Sequence, residues 1–414
     1  MSGQGGTRRR ETLLVVGSGY QLSNEPMFNQ LATEADLVLL DSAPLTWQHR
    51  WVRDHEVFDP NDEGDALRLA KVLAGRNRID AVCTHTEGSV LLAARLAEAL
   101  SLPGLPVAAA ELARDKHRQR QMLAATGLSP TRSVLVHDLD AARAAAAQIG
   151  FPLVVKPRGL SGSAGVCRVD DPADFDAAFL ASVHIDKKGM ASEGTLIEEY
   201  IDGEEFAVDF WVVDGVATPV SWYRYVMGYD QHPIQIGYIA GNGALTEPAT
   251  TDGFELARRA VLAAGMDRTV AHVEIKLSSR GPRVIELNGR PPGDISSLIV
   301  EVARGVRMGG LLAAAALGRE PERREVRDHA AGCRFLYPRG RQRFDGLAPA
   351  PELRSRPWVY EVGELRPRGD IVAPPPEDLY GRVGYVMATG PDADEVADRL
   401  ALATHELEVL GPLV

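Results

Sequence analysis

Residues 271–290 read AHVEIKLSSRGPRVIELNGR, and the alternation of charged and apolar side chains there decides how the chain is built. Two runs rich in β-branched and apolar residues, 271–277 and 283–287, flank a Ser-Ser-Arg-Gly-Pro turn, which predicts a β-hairpin. Side chains alternate across a strand, so His272, Glu274 and Lys276 share one face and Val273, Ile275 and Leu277 the other. On the partner strand Val284, Glu286 and Asn288 are expected to share a face. Pairing the strands brings Glu274, Glu286 and Asn288 together. Two carboxylates and an amide oxygen are hard donors, suited to magnesium that is also held by substrate phosphates. The same pattern fits the solvated face of an ordinary hairpin, because charged residues are common on exposed strand faces. Glycine and two prolines follow Arg290, and a helix is expected from Asp294 onward.

The rest of the chain bounds the choice. At 414 residues, two or three domains with substantial cores are expected. A hydrophobic share of 45% and a charged share of 25% are ordinary for a soluble globular protein. The longest apolar runs fall short of a membrane span, and residues 1–11 contain no signal-like apolar region. A net charge of −12 and the lack of a basic stripe argue against a nucleic-acid partner. Cys83, Cys167 and Cys333 are too widely spaced for a disulfide framework or a zinc pattern, which fits a reducing cytoplasm.

Strands are expected at 12–16, 37–40, 57–58 and 79–83, with helices at 65–73 and 89–100. That alternation predicts a parallel sheet covered on both faces. Gly17-Ser18-Gly19 lacks the third glycine of the dinucleotide fingerprint. Glu87 lies just past the fourth strand, where open α/β sheets bind ligands. It reads either as a substrate contact or as a charge stabilised in the first turn of a helix. A helix is expected over 111–126, carrying Lys116, which by itself reads as a surface lysine.

A second unit begins near Ser133. After a helix at 141–149, the strand 153–156 ends in Lys156. It runs into a loop holding Ser161, Gly162, Ser163 and Gly165, and then a return strand at 166–169. So many small residues let backbone N–H groups approach phosphate oxygens, with hydroxyls and Lys156 adding donors and charge. A flexible hairpin would look the same. No Gly-Lys-Ser/Thr follows, so this is not a Walker loop. A helix is expected at 170–180, a polar loop at 185–194 and strands at 195–200 and 206–213. The aromatic run 222–229 suits either packing or a substrate pocket. A helix at 254–264 precedes the hairpin. A smaller α+β unit follows from about 330, with strands at 333–336 and 384–388 and a helix at 393–406.

The motifs come in a telling order: ARDK with Lys116, VVKPRGLSGSAGV, LIEEYIDGEEF, HVEIK and VIELNGR. In this the chain resembles the ATP-grasp carboxylate–amine ligases over nearly its whole length. VIELNGRPPGD and the late segment GRVGYVMATGPDADEVADRL look most like the branch containing L-amino-acid ligases (dipeptide synthetases) and biotin-carboxylase-like enzymes. The resemblance implies an ATP-grasp fold of four parts: an N-terminal parallel-sheet domain (11–115), a lid and small subdomain (116–205), a large subdomain with the metal site (206–320) and a C-terminal α+β subdomain (321–414).

It also implies roles. Lys116 and Lys156 match lysines that hold ATP phosphates, and 161–165 would be the lid loop. Glu198, Glu199 and Ile201 match the hinge, where the backbone of Glu199 and Ile201 meets the adenine edge. Glu205 matches a ribose-binding carboxylate. Glu274, Glu286 and Asn288 match ligands of magnesium, or of manganese, which takes the same donors. Arg290 looks like an arginine that stabilises charge on the acyl phosphate or binds a substrate carboxylate. Lys156, Arg290 and His272 form the expected catalytic set, with Glu87 and Arg290 toward substrate; a structural role for His272 stays open. The stretch 222–248 offers no counterpart of a lysine often found there in amino-acid ligases, which leaves acceptor specificity open. The expected protein is a cytoplasmic homodimer joining small-molecule acid and amine substrates, amino acids above all. A purine-pathway or carboxylase-type ligase and a non-catalytic nucleotide-binding module are the alternatives.

Overall fold

Four short strands, Thr12–Val16, Asp36–Asp41, Val52–Val57 and Ala81–Cys83, pair in parallel in the order third, second, first, fourth. The computed structural model describes residues 9–185, 193–241, 248–322 and 327–414. Thr12–Val16 is buried on both faces, as a central parallel strand must be. Leu14 and Val16 pack toward the helices Glu63–Arg76 and Val90–Ala99, whereas Leu13 and Val15 pack toward Gln21–Glu34. The third strand starts five residues before its expected place at 57–58. It is an edge strand in which half-buried and exposed residues alternate, so it carries no apolar run. The helix Gln21–Glu34 was not expected, because Pro26 and many polar residues hide a face that buries Met27, Phe28 and Leu31.

The single helix expected over 111–126 is two, Val107–Ala113 and Lys116–Ala125. Asp115 breaks the run and caps the second helix, its carboxylate accepting from the N–H groups of His117 and Arg118 at 3.0 and 3.2 Å. Lys116 is thus the first helical residue, held beside the cap.

The middle of the chain forms an antiparallel sheet in the order Ser133–Val136, Thr195–Glu199, Leu153–Pro157, Cys167–Val169. Helices Leu139–Ile149 and Phe175–His184 share its core. Most of the polar loop expected at 185–194 lies outside the described residues.

The largest element is an eight-stranded antiparallel sheet. Its order is Gly281–Asn288, Thr269–Ser278, Glu204–Val213, Val216–Gly228, Ile234–Ala240, Ala330–Leu336, Gly384–Gly390, Val359–Glu364. Helices Ser296–Arg304 and Met308–Leu317 cover one face, sharing a core with Leu13, Val15 and Phe28 of the N-terminal unit. Pro248–Ala263 and Ala393–His405 cover the other. Residues 205 and 206 lie inside one strand, and the expected boundary at 320 falls between strands of one continuous ladder.

Candidate active site

The hairpin forms with a slip. Glu274 lies opposite Glu286 and His272 opposite Asn288, but Ile275 pairs with Val284, leaving Ile285 as an extra residue. The expected sharing of a face by Val284, Glu286 and Asn288 is corrected by this bulge. Val284 turns into the core under Pro248–Ala263, and Ile285 turns into the cleft. Arg120 fixes the bulge, donating to the carbonyls of Val284 at 3.3 Å and Ile285 at 2.9 Å. Gln119 binds the same strand through both backbone groups of Leu287, each at 2.9 Å.

Like charges directly opposite on a strand pair repel. Here Lys116 Nζ donates to Glu286 Oε1 at 2.9 Å, and the Tyr225 hydroxyl donates to Glu274 Oε1 at 3.2 Å. His272 Nδ1 lies 2.8 Å from Asp209 Oδ1, while its Nε2 lies 3.0 Å from the Tyr225 oxygen and 3.6 Å from Glu274 Oε1. Burial disfavours charge on this ring, but Asp209 and Glu274 outweigh it and raise the pKa to about 9. The ring thus lies between two carboxylates, Asp209 and Glu274. Asn288 is 3% exposed and lies opposite His272, one pair along from the facing glutamates. Among the described residues no three His, Cys, Asp or Glu side chains converge as a metal set.

Across the cleft, Lys156 is the penultimate residue of the strand Leu153–Pro157, with its Nζ 2.5 Å from Glu198 Oε2. Arg120 grips the same carboxylate at 2.8 and 3.2 Å, and the Ser133 hydroxyl adds a bond at 3.0 Å. Burial alone would raise the Glu198 pKa, but Arg120 and Lys156 hold it at about 2. Burial, then repulsion from Arg120, lowers Lys156 to about 8. The Glu198 side chain is thus the buried counter-ion of two cations. Arg120 escaped the sequence reading because ELARDKHRQRQ looks like a solvated helix, and nothing in it marks the buried face.

The loop after Lys156 has left-handed backbone at Gly162, Ser163 and Gly165, with φ of 65°, 56° and 69°. A Cβ on Gly165 would also meet the Pro157 ring at 2.8 Å, so glycine is required there on two counts. The loop's first carbonyls are held from outside: Arg114 donates to Gly159 O at 2.8 Å and Lys116 to Leu160 O at 2.6 Å. At the hinge, the Glu199 carboxylate accepts from the Arg132 N–H at 3.0 Å and from Arg280 at 3.1 Å. Lys276 Nζ reaches the Ile201 carbonyl at 3.1 Å and lies 3.8 Å from Glu205. Burial, then Glu274 and then Glu286 push the Glu205 carboxyl up to about 7, against the pull of Lys276.

At the far end, Arg290 follows the second hairpin strand and donates through Nε to Glu87 Oε2 at 2.6 Å and through Nη1 to Pro291 O at 2.7 Å. Arg114 pairs with the other Glu87 oxygen. Arg290 lines the cleft, and Glu87 and Arg114 hold its guanidinium end of the site in place. Tyr223 and Tyr225 from the aromatic run, with Tyr238, form a wall of rings 5.5 to 6.0 Å apart, whereas Trp222 points into the opposite core. The Tyr238 hydroxyl donates to Asp294 at 3.2 Å, and Arg382 pairs with the same carboxylate. The cleft joining these groups measures about 590 Å³ and is lined by Lys116, Lys156, Glu205, Glu274, Glu286 and Arg290 among others.

Residues 149–298 match the family described as ATP-grasp domain. This chain carries an ATP-grasp domain. Residues 334–410 match L-amino acid ligase C-terminal domain 2, and strands from both matched segments lie in one sheet. Among relatives, an alanine–anticapsin ligase of Bacillus subtilis is 29% identical over 62% of this chain and 58% of its own length. The chain thus spans less than two thirds of that relative. A phosphoribosylamine–glycine ligase of Streptomyces coelicolor is 28% identical over 96% of each chain. The crystal structure of an L-amino acid ligase from Bacillus licheniformis shares the fold, with a TM-score of 0.81 and 23% identity over 98% of this chain and 100% of that one.

Proposed function

We propose that this protein is an ATP-dependent carboxylate–amine ligase that forms an amide between amino acids or amino-acid-like substrates through an acyl phosphate. The reading rests on one observation. Lys116, Lys156, the facing Glu274 and Glu286, and Arg290 all line the same cleft. The facing glutamates, which also raise the nearby Glu205, suit an added divalent cation. Glu274, Glu286 and Asn288 would hold magnesium, or manganese, which takes the same oxygen donors. The bound ion would supply charge neutralisation on the triphosphate.

The chain's own groups do the rest. Lys116, Lys156 and the N–H groups of 161–165 bind the phosphates, with Glu205 on the ribose and the Glu199 and Ile201 backbone at the adenine edge. Arg290, aimed by Glu87, draws in the acid carboxylate. That carboxylate attacks the terminal phosphorus and ADP leaves. The amine then attacks the acyl carbon, expelling phosphate, and Arg290 stabilises the oxyanion formed on the way. Closure of the loop keeps water from the acyl phosphate. In this reading 116–205 supplies the lid, 206–320 the metal face, and 11–115 and 321–414 the walls around substrate. The working form is a cytoplasmic homodimer, which sedimentation and cell fractionation would check.

Hydroxylamine added with ATP, magnesium and the acid, but no amine, tests the mechanism: a hydroxamate is expected. A carboxylate bearing AMP would show adenylate chemistry and sink the acyl-phosphate route. A screen of amino-acid pairs by phosphate release and product mass identifies the substrates. The Streptomyces coelicolor relative, matched end to end, favours phosphoribosylamine with glycine as the second pair to test. No ADP release with any pair would leave a nucleotide-binding module.

A further inference from the structure

Four successive carbonyls of the phosphate loop accept hydrogen bonds from side chains outside it. The first two are served by Arg114 and Lys116, as described. The next two are served by one hydroxyl: Tyr380 donates to Gly162 O at 2.9 Å and Ser161 O at 3.3 Å, across 218 and 219 residues of sequence. The donor is itself held in place. The Tyr380 N–H donates to Asp378 Oδ1 at 2.9 Å, and its carbonyl accepts from Arg366 at 2.8 Å. Two residues on, Arg382 pairs with Asp294, donates to Gln235 O at 2.8 Å and lies 3.9 Å over the Phe335 ring. One short segment thus grips the loop through Tyr380 and the substrate end of the cleft through Arg382. Tyr380 is 42% exposed, so its ring is no core filler.

We propose that Tyr380 is a positioning residue: it latches the loop 159–165 shut over the triphosphate and the acyl phosphate, and couples loop closure to the segment that carries Arg382. The inference rests on the ligase reading for its acyl phosphate but not for its nucleotide. Backbone with left-handed torsions at Gly162, Ser163 and Gly165 has several alternatives open to it. A hydroxyl–carbonyl contact is strong enough to bias such a loop and weak enough to release it in each cycle.

Tyr380→Phe removes one oxygen and keeps the ring. Two quantities are read on the full chain with magnesium: the release rate of a fluorescent ATP analogue, and the amide formed per ATP consumed with the substrate pair found by the screen. The expected result is release faster by about five- to tenfold, the size of one net hydrogen bond, with a lower ratio of amide to ATP and an unchanged melting temperature. Water reaching the acyl phosphate accounts for the lost ratio. Release at the wild-type rate would overturn the latch, whatever the coupling. If the wild type makes no amide with any pair, the ligase reading fails, and the release rates still decide whether Tyr380 holds the loop.

Discussion

Replacing Arg120 by methionine should cost more than any other single change around the cleft, because Arg120 joins the buried Glu198 to the bulged strand. The side chains of Arg120 and Glu198 are 5% and 4% exposed, so the pair is fully desolvated. Removing one partner of such a pair costs about 3–5 kcal/mol, because the survivor is left charged and buried. Lys156 stays 2.5 Å from Glu198, which places the ionic part near the lower figure. The carbonyls of Val284 and Ile285 also lose a donor, adding about 1 kcal/mol each. About 4–5 kcal/mol is expected in all. The bulge these carbonyls hold sets the facing of Glu286, so turnover of the folded fraction should fall at least about tenfold as well. Thermal melting and turnover on one preparation measure both effects. A second variant, Arg120→Lys, keeps a positive charge beside Glu198 and should recover much of the ionic part of the loss, but not the bonds to the two carbonyls or the turnover. An Arg120→Met variant that melts with the wild type, or an Arg120→Lys variant no more stable than Arg120→Met, would refute the charge argument.

Three further outcomes are expected. Glu286→Ala should abolish turnover with little change in melting, since a polar cleft position leaves no core cavity; near-normal phosphate release at saturating magnesium would remove Glu286 from the metal set. Arg290→Lys keeps the charge but loses the fork that binds both Glu87 and a carboxylate, so kcat/KM should fall by about 2–4 kcal/mol in transition-state terms, with nucleotide affinity nearly unchanged. A destabilised but fully active variant would make Arg290 structural. Lys156 is lowered from 10.5 to about 8 in the fold, so its ammonium is lost as pH rises through 8 while the unfolded chain keeps its proton. Nucleotide affinity measured by calorimetry should therefore weaken from pH 7 to 9, and this group's contribution to stability should rise between about 8 and 10.5; Lys156→Arg should flatten the binding profile.

The hairpin was legible because period-two alternation is a local property: 271–277 carries its pattern in its own residues. The bulge was not, because its cause lies 164 residues away in Arg120. The position of Glu87 past a parallel strand was readable from strand order, yet its service to Arg290 needs two distant loops to meet. Lys116 looked like a surface lysine until Asp115 broke the helix in front of it. Tyr380 had no signal at all, since a tyrosine in a proline-rich loop says nothing of a partner in another sheet. The ladder crossing residue 320 was equally hidden, because strand patterns specify faces but not neighbours.

That ladder has a consequence for synthesis on the ribosome. Gly384–Gly390 is the last of the eight strands to emerge, yet it sits inside the sheet, between Ala330–Leu336 and Val359–Glu364. Until it arrives, two strand edges stand bare, the state in which chains pair with one another. Stalling or clipping between residues 364 and 384 would therefore yield an aggregating product. The sheet that carries the hairpin glutamates is completed only when Gly384–Gly390 has joined it.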